Sequence, residues 1–273
     1  MKKTERIAVY GKGGIGKSVV ATTLSAIYAM AGRRVLHVGC DPKHDSAVRL
    51  LDGQKSVRTI LDILGDDPMA TTADVLTRGR HGIDCCEAGG PPAGLGCGGR
   101  GVARTIEHLD ELGLLRSGDY DVAMFDVLGD VVCGGFAAPL RAGFAEKVVI
   151  VLSEEPMALY AANNIARAVE TYHRNGAALA GVVVNQRTND VDLSLVERFC
   201  TEIGTRVLAV MERDPEIIAA ERRGSTVFEH APDSKSARAL GALAERLLEV
   251  RASELPLPQP MADDAFFELI RTA

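Results

Sequence analysis

The sequence predicts an α/β fold, a mostly parallel sheet flanked by helices on both faces. Three observations lead there. Short β-branched runs alternate with helical patterns from one end to the other, which implies crossovers between parallel strands. Aromatic residues make up only 4% of the chain and Trp is absent, so the core must be aliphatic, as suits strands buried on both faces. A glycine-rich segment also sits between the first strand pattern and the first helical one.

In chain order, strands are expected at 6–10, 34–38, 121–125, 147–152, 179–185 and 206–211, each a short, mostly apolar run. Helices are expected at 17–31, 102–114, 157–172, 192–203 and 236–250, where apolar residues recur at helical spacing. The longest apolar stretch, 177–184, is explained by a buried strand. Pro256, Pro258 and Pro260 mark an extended tail. Residues 1–252 therefore read as one domain and 253–273 as a C-terminal tail, with functional loops expected at the carboxyl ends of the strands.

The chain has 273 residues and a net charge of −6, which argues against nucleic acid as its main partner. The apolar run at 7–10 is too short for a secretory leader, and no run approaches the ~20 residues of a membrane helix. A cytoplasmic protein is expected, in which six cysteines stay reduced and serve as buried, catalytic or metal-bound groups.

Gly11-Lys12-Gly13-Gly14-Ile15-Gly16-Lys17-Ser18 satisfies G-x-x-x-x-G-K-[ST], the phosphate loop, and lies between a strand and a helix as its mechanism requires. Its glycines let several backbone N–H groups point at one phosphate chain, and the following helix adds its positive end. Lys17 is expected to neutralise the β- and γ-phosphates, and the Ser18 hydroxyl to bind Mg²⁺. The fold expected is that of a P-loop NTPase. Lys12 makes the loop resemble the deviant P-loop family, whose dimeric members use this second lysine across the subunit interface; an exposed lysine is the bland alternative.

Asp126-Val127-Leu128-Gly129 follows the expected strand at 121–125, so Asp126 can hold Mg²⁺ through water and Gly129 can donate its N–H to a γ-phosphate. Asp41-Pro42-Lys43-His44-Asp45 follows the expected strand at 34–38. Asp41 or Asp45 is placed to orient the attacking water, and spacing does not choose between them.

Cys97 and Cys133 lie in Gly94-Leu95-Gly96-Cys97-Gly98-Gly99 and Cys133-Gly134-Gly135. Flanking glycines leave a thiolate accessible and expose N–H groups that can hydrogen-bond to cluster sulfide. Cys40, Cys85, Cys86 and Cys200 lack this setting and read as structural. A [4Fe–4S] cluster takes four thiolates, so two such cysteines per chain suggest one cluster on the axis of a homodimer.

With these residues in view, the chain resembles the nitrogenase iron protein family. The resemblance is carried by Gly11–Ser18, Gly39-Cys40-Asp41-Pro42-Lys43, the segments 96–101 and 125–136, and Leu159-Tyr160-Ala161-Ala162-Asn163-Asn164-Ile165. It implies a homodimer in which MgATP binding and hydrolysis gate electron delivery from a bridging [4Fe–4S] cluster to a separate catalytic protein, with a ferredoxin or flavodoxin upstream. By the same resemblance Lys12 acts across the dimer and Asp41, Lys43 and Asp45 form a first switch. Asp126 through Asp130 to Cys133 link nucleotide to cluster. Asn185, Arg213 and Asp214 match positions that hold the adenine and its surroundings, and the partner docks near Cys97, Arg100 and Cys133.

The branch within the family reads as a mosaic. Lys43-His44-Asp45-Ser46 and the segment 87–94 look like the dark-operative protochlorophyllide reductase subunit. Residues 100–102 and 159–165 look like nitrogenase iron proteins or the chlorophyllide reductase subunit, whereas Val19 and Ala47 depart from the Thr common in nitrogenase members. Such a mosaic looks like a side branch, the reductase of methylthio-alkane reductase or of nickel-tetrapyrrole biosynthesis, and the first is preferred. The rival from another class is a partitioning ATPase, which shares Lys12 and the fold but needs neither Cys97 nor Cys133.

Overall fold

The computed structural model describes residues 4–53, 57–91, 96–129 and 134–272. Among the described residues, eight strands form one sheet: β1 (Glu5–Tyr10), β2 (Val35–Cys40), β3 (Thr77–Arg78), β4 (Asp84–Glu87), β5 (Val122–Val127), β6 (Lys147–Leu152), β7 (Ala178–Asn185) and β8 (Val207–Met211). Their order is β3-β4-β2-β5-β1-β6-β7-β8, and only the β3–β4 pair is antiparallel. The mostly parallel α/β fold is therefore as predicted. All six residues of β2, β5 and β6 are buried, as strands covered on both faces require.

The order explains where the site lies. β1 has β5 on one side and β6 on the other, so the chain leaves β1 at the point where the sheet's winding reverses. Crevices open at the carboxyl ends of strands at such a point, and Gly11 begins there.

The helices are α1 (Lys17–Met30), α2 (Ile60–Asp66), α3 (Thr72–Val75), α4 (Gly98–Glu111), α5 (Ala138–Arg141), α6 (Pro156–Tyr172), α7 (Ser194–Glu202), α8 (Pro215–Arg222), α9 (Val227–His230), α10 (Lys235–Glu249) and α11 (Asp263–Arg271). Each of the five expected helices is present within a few residues of its expected bounds. The largest shift is in α4, which begins at Gly98 and not at residue 102. Glycine's low helix propensity hides those first residues from a sequence reading.

Two corrections concern missed elements. β4 reads Asp-Cys-Cys-Glu, with no β-branched residue, yet it pairs in register with β2 and buries both Cys85 and Cys86. The C-terminal segment does not stay extended. After the prolines, α11 packs back with Phe266 fully buried, its ring edge-on to Phe199 at 6.2 Å and to Tyr160 at 5.3 Å. Asn163 secures the approach, donating to the Met261 carbonyl and accepting from its N–H, both at 2.8 Å. Three aromatic side chains thus bury area that the prolines alone did not announce.

Candidate functional site

The phosphate loop leaves β1 after the buried Tyr10 and enters α1 through Gly16, whose φ of 104° lies in the left-handed region. Among the described residues no side chain caps α1, so its first N–H groups are available to an anion. The loop is folded on itself: Ile15 N–H and Lys17 Nζ both donate to the Lys12 carbonyl at 3.2 Å. Ile15 is fully buried and anchors the loop, while Gly13 and Gly14 face solvent.

Asp126 lies within β5, one strand over from the loop, and is buried. Its carboxylate accepts hydrogen bonds from Ser46 Oγ at 2.6 Å and from the Ser18 hydroxyl. Burial raises its pKa, opposed by those two hydroxyls and by the Lys17 charge. Gly129 lies so close to the Gly11 carbonyl that no side-chain carbon fits, which brings the chain after β5 onto the phosphate loop. Asp130 lies outside the described residues.

The segment after β2 turns over the same cavity. The Lys43 N–H donates to Asp41 Oδ1 at 2.9 Å, and His44 takes a φ of 47° to complete the turn. A cavity of about 290 Å³ is lined by Lys17, Ser18, Asp41, Lys43, Asp45 and Asp126, together with loop glycines. Residues from three separate sequence segments thus meet around one opening. Three larger cavities, of about 700, 640 and 430 Å³, lie elsewhere; the first and third contain none of the motif residues. Chemistry, not size, marks the site.

At the far side of the loop, Asn185 ends β7 and its Nδ2 donates to the Ile15 carbonyl at 2.8 Å. Asn185 pairs in register with Met211, so Arg213 and Asp214 emerge beside it from β8. The Arg213 side chain is exposed, with its N–H bonded to Asn189 Oδ1 at 2.9 Å. Asp214 accepts from Glu216 N–H and Ser236 N–H, each at 3.0 Å, which caps α8 and ties it to α10. Its carboxylate is committed to the scaffold around the site. The sequence reading missed Arg187, whose guanidinium reaches the Gly14 carbonyl at 3.4 Å.

Cys97 is exposed and occupies the position before the first turn of α4, whose N-terminal N–H groups have no side-chain cap among the described residues. Arg100 is exposed on that first turn. Cys133 lies outside the described residues, but Gly135 packs directly on the backbone of Gly99, with no space for a Cβ. The chain just after Cys133 therefore abuts the first turn that follows Cys97. An exposed thiol at a helix N-terminus, beside a second glycine-framed segment, fits the donor chemistry of an iron–sulfur cluster.

The remaining cysteines differ. Cys40, Cys85, Cys86 and Cys200 are buried, and burial raises each thiol's pKa, that of Cys200 to about 12. They pack as small apolar residues.

The turn over the cavity and the cysteine helix touch. The Pro42 ring packs against Gly98, leaving no room there for a side chain, and a Cβ on Gly90 would lie 2.6 Å from Pro42 Cβ. Beside the same helix start, where the Phe136 ring approaches Gly98, Tyr10 at the mouth of the phosphate loop donates to the Phe136 carbonyl at 3.1 Å.

Two further groups escaped the sequence reading. His37 and Glu87 are almost wholly buried in β2 and β4. Glu87 Oε1 accepts from the Ala47 N–H at 2.6 Å, and burial pushes its pKa up to about 8.

Comparison with known proteins agrees with this arrangement. Residues 5–273 match the family described as 4Fe-4S iron sulfur cluster binding proteins, NifH/frxC family. Nitrogenase iron protein 2 of Methanothermobacter thermautotrophicus is 42% identical over 98% of this chain and 97% of its own length. Nitrogenase iron protein 2 of Paenibacillus durus is 41% identical over 94% of this chain and 88% of its own. Among solved structures, the septum site-determining protein MinD of Pyrococcus horikoshii, complexed with Mg-ADP, superposes with a TM-score of 0.72 at 22% identity, over 93% of this chain and 100% of its own. A ParA family ATPase of Chlorobium tepidum gives 0.68 at 15% identity, over 89% of this chain and 98% of its own. At such low identity these two likenesses establish the fold alone.

Proposed function

Because this chain belongs to the nitrogenase iron protein family, we propose that it is the ATP-hydrolysing reductase of a nitrogenase-like system, delivering electrons to a separate catalytic component. The family binds a [4Fe–4S] cluster, uses nucleotide and acts as a homodimer with a catalytic partner. When bound, the cluster supplies a one-electron couple and MgATP supplies the free energy that favours one conformation over another.

The residues divide the work as follows. Lys17 and the N–H groups of residues 11–18 hold the phosphates, and Gly129 donates to the terminal one. Ser18 and Asp126 hold Mg²⁺, and Asp41 or Asp45 orients the attacking water. Lys12, which lines a groove with Met157, Tyr160 and Arg167, would act on the nucleotide of a second copy. Asn185 and Arg213 border the adenine, with Asp214 fixing the surrounding helices. Asp130 lies on the segment between Gly129 and Cys133. Cys97 and Cys133 of two copies provide the four thiolates.

The observation that carries this reading is the contact of Pro42 with Gly98. The segment bearing Asp41, Lys43 and Asp45 packs directly on the helix that begins beside Cys97, so a shift towards that helix at the nucleotide would press on it. A nucleotide hydrolase with no redox role has no need of that connection.

For the catalytic partner, the mosaic of segments 43–46, 87–94, 100–102 and 159–165 leads us to methylthio-alkane reductase. Docking would centre on Cys97, Arg100 and Cys133, with a ferredoxin or flavodoxin refilling the cluster. Anaerobic purification tests the core of the proposal: about four irons per dimer and a reduced-state paramagnetic signal are expected. A colourless, iron-free dimer that still hydrolyses ATP would refute it in favour of a partitioning ATPase. Capture of the partner from the source cells decides the branch.

A further inference from the structure

Ser25 on α1, His37 on β2, Ser46 after the turn at 41–45, and Asp126 on β5 are all buried and form one unbroken row. Ser25 Oγ lies 2.9 Å from His37 Nδ1, His37 Nε2 lies 2.8 Å from Ser46 Oγ, and Ser46 Oγ lies 2.6 Å from Asp126 Oδ2.

A proton count gives this row a single direction. The carboxylate of Asp126 can only accept, so the one Ser46 proton lies towards it. The Ser46 oxygen then accepts from His37, which places the ring proton on Nε2. Nδ1 is left as an acceptor, and the Ser25 hydroxyl donates to it. The opposite tautomer would set a nitrogen lone pair against an oxygen that has already committed its proton. Two facing acceptors in a dry interior are costly. Burial keeps the ring neutral, lowering its pKa to about 3, so only one ring proton has to be placed.

We infer that His37 is a positioning residue: its Nε2–H holds the Ser46 hydroxyl as a donor to Asp126 and so fixes that carboxylate beside Ser18. This inference rests on the reading of Ser18 and Asp126 as the magnesium-holding pair. The row begins on α1, the helix that carries Lys17 and Ser18, and returns to Ser18 through Asp126, so it closes on the pair that would hold the cation. Ser46 also ends the segment that bears Asp41, Lys43 and Asp45. A single proton orientation therefore links the phosphate-loop helix, the turn over the cavity and the carboxylate.

The test is the magnesium dependence of ADP binding, measured by calorimetry on the full-length dimer. Wild type is compared with His37→Gln, whose side-chain amide N–H occupies the place of Nε2–H, and with His37→Leu, which has no donor. His37→Leu is expected to need roughly three- to tenfold more Mg²⁺ for the same ADP affinity, the worth of one hydrogen bond, with magnesium-free ADP binding unchanged. His37→Gln is expected to stay within about twofold of wild type.

Equal magnesium dependence in all three proteins overturns the inference, as does a Gln variant that behaves like Leu. ADP binding that ignores Mg²⁺ in the wild type overturns the functional reading itself, and the inference with it. Should His37→Leu fail to fold, nitrogen-15 spectra of the wild-type imidazole decide, with the His37→Gln spectrum assigning the resonance. An Nε2–H tautomer is expected, and an Nδ1–H tautomer contradicts the inference.

Discussion

The Tyr10 hydroxyl donates to the Phe136 carbonyl at 3.1 Å inside the core. Tyr10 is the last residue before the phosphate loop, and Phe136 closely follows Cys133, so one buried hydrogen bond joins the nucleotide end of β1 to the second cysteine segment. Tyr10→Phe keeps the ring and leaves a buried carbonyl unpaired, a cost of about 1–3 kcal/mol by denaturant unfolding. The same variant should show a smaller acceleration of cluster-iron chelation by MgATP than wild type. An unchanged acceleration would remove Tyr10 from the coupling.

Gly98 meets Pro42 with no room for a methyl group. Gly98→Ala must push the turn at 41–45 away from α4, at an overpacking cost of about 1–3 kcal/mol. ATP turnover should fall more than ADP affinity does, because Asp41 and Asp45 are displaced while the phosphate loop is untouched. Steady-state kinetics with ADP titration separates the two. Equal losses in both would show that the loop, not the turn, had been disturbed.

Glu87 predicts a pH effect. Its folded-state pKa is raised to about 8, so from the ordinary carboxylate range upward the unfolded chain gives up a proton that the folded chain retains. Its contribution to stability is therefore lost as pH rises from about 4.5 to 8, by at most ~1.4 kcal/mol per pH unit. Glu87→Gln should flatten this part of the stability profile and gain most, relative to wild type, at pH 8. Parallel wild-type and mutant profiles across that window would contradict the assignment.

Phe266 anchors α11 against Phe199 and Tyr160. Phe266→Ala should cost about 3–5 kcal/mol, as for other large core truncations. A loss below about 1 kcal/mol would mean that the helix is not part of the cooperative core.

Much of this was legible in the sequence, and the exceptions are physical. The six strands found in advance are β-branched runs, and the phosphate loop carries its own spacing. β4 was missed because Asp-Cys-Cys-Glu has no strand propensity and owes its place to pairing with β2. The α4 start was hidden by Gly98 and Gly99, residues chosen for close approach to Pro42 and Gly135, not for helix formation. The α11 helix was masked by the prolines before it. In the site, Lys17, Ser18, Asp41, Lys43, Asp45 and Asp126 were found by motif and meet in one cavity. His37, Ser46 and Glu87 act through tertiary hydrogen bonds, which no local pattern encodes.

The central claim is that nucleotide at Lys17 controls the cluster at Cys97. Its most direct test is iron chelation from the anaerobic dimer, with and without MgATP, in wild type and Lys17→Ala. The account predicts that MgATP speeds chelation in wild type and has no effect in Lys17→Ala, although the variant retains its full iron content. Acceleration by MgATP that survives in Lys17→Ala would contradict it.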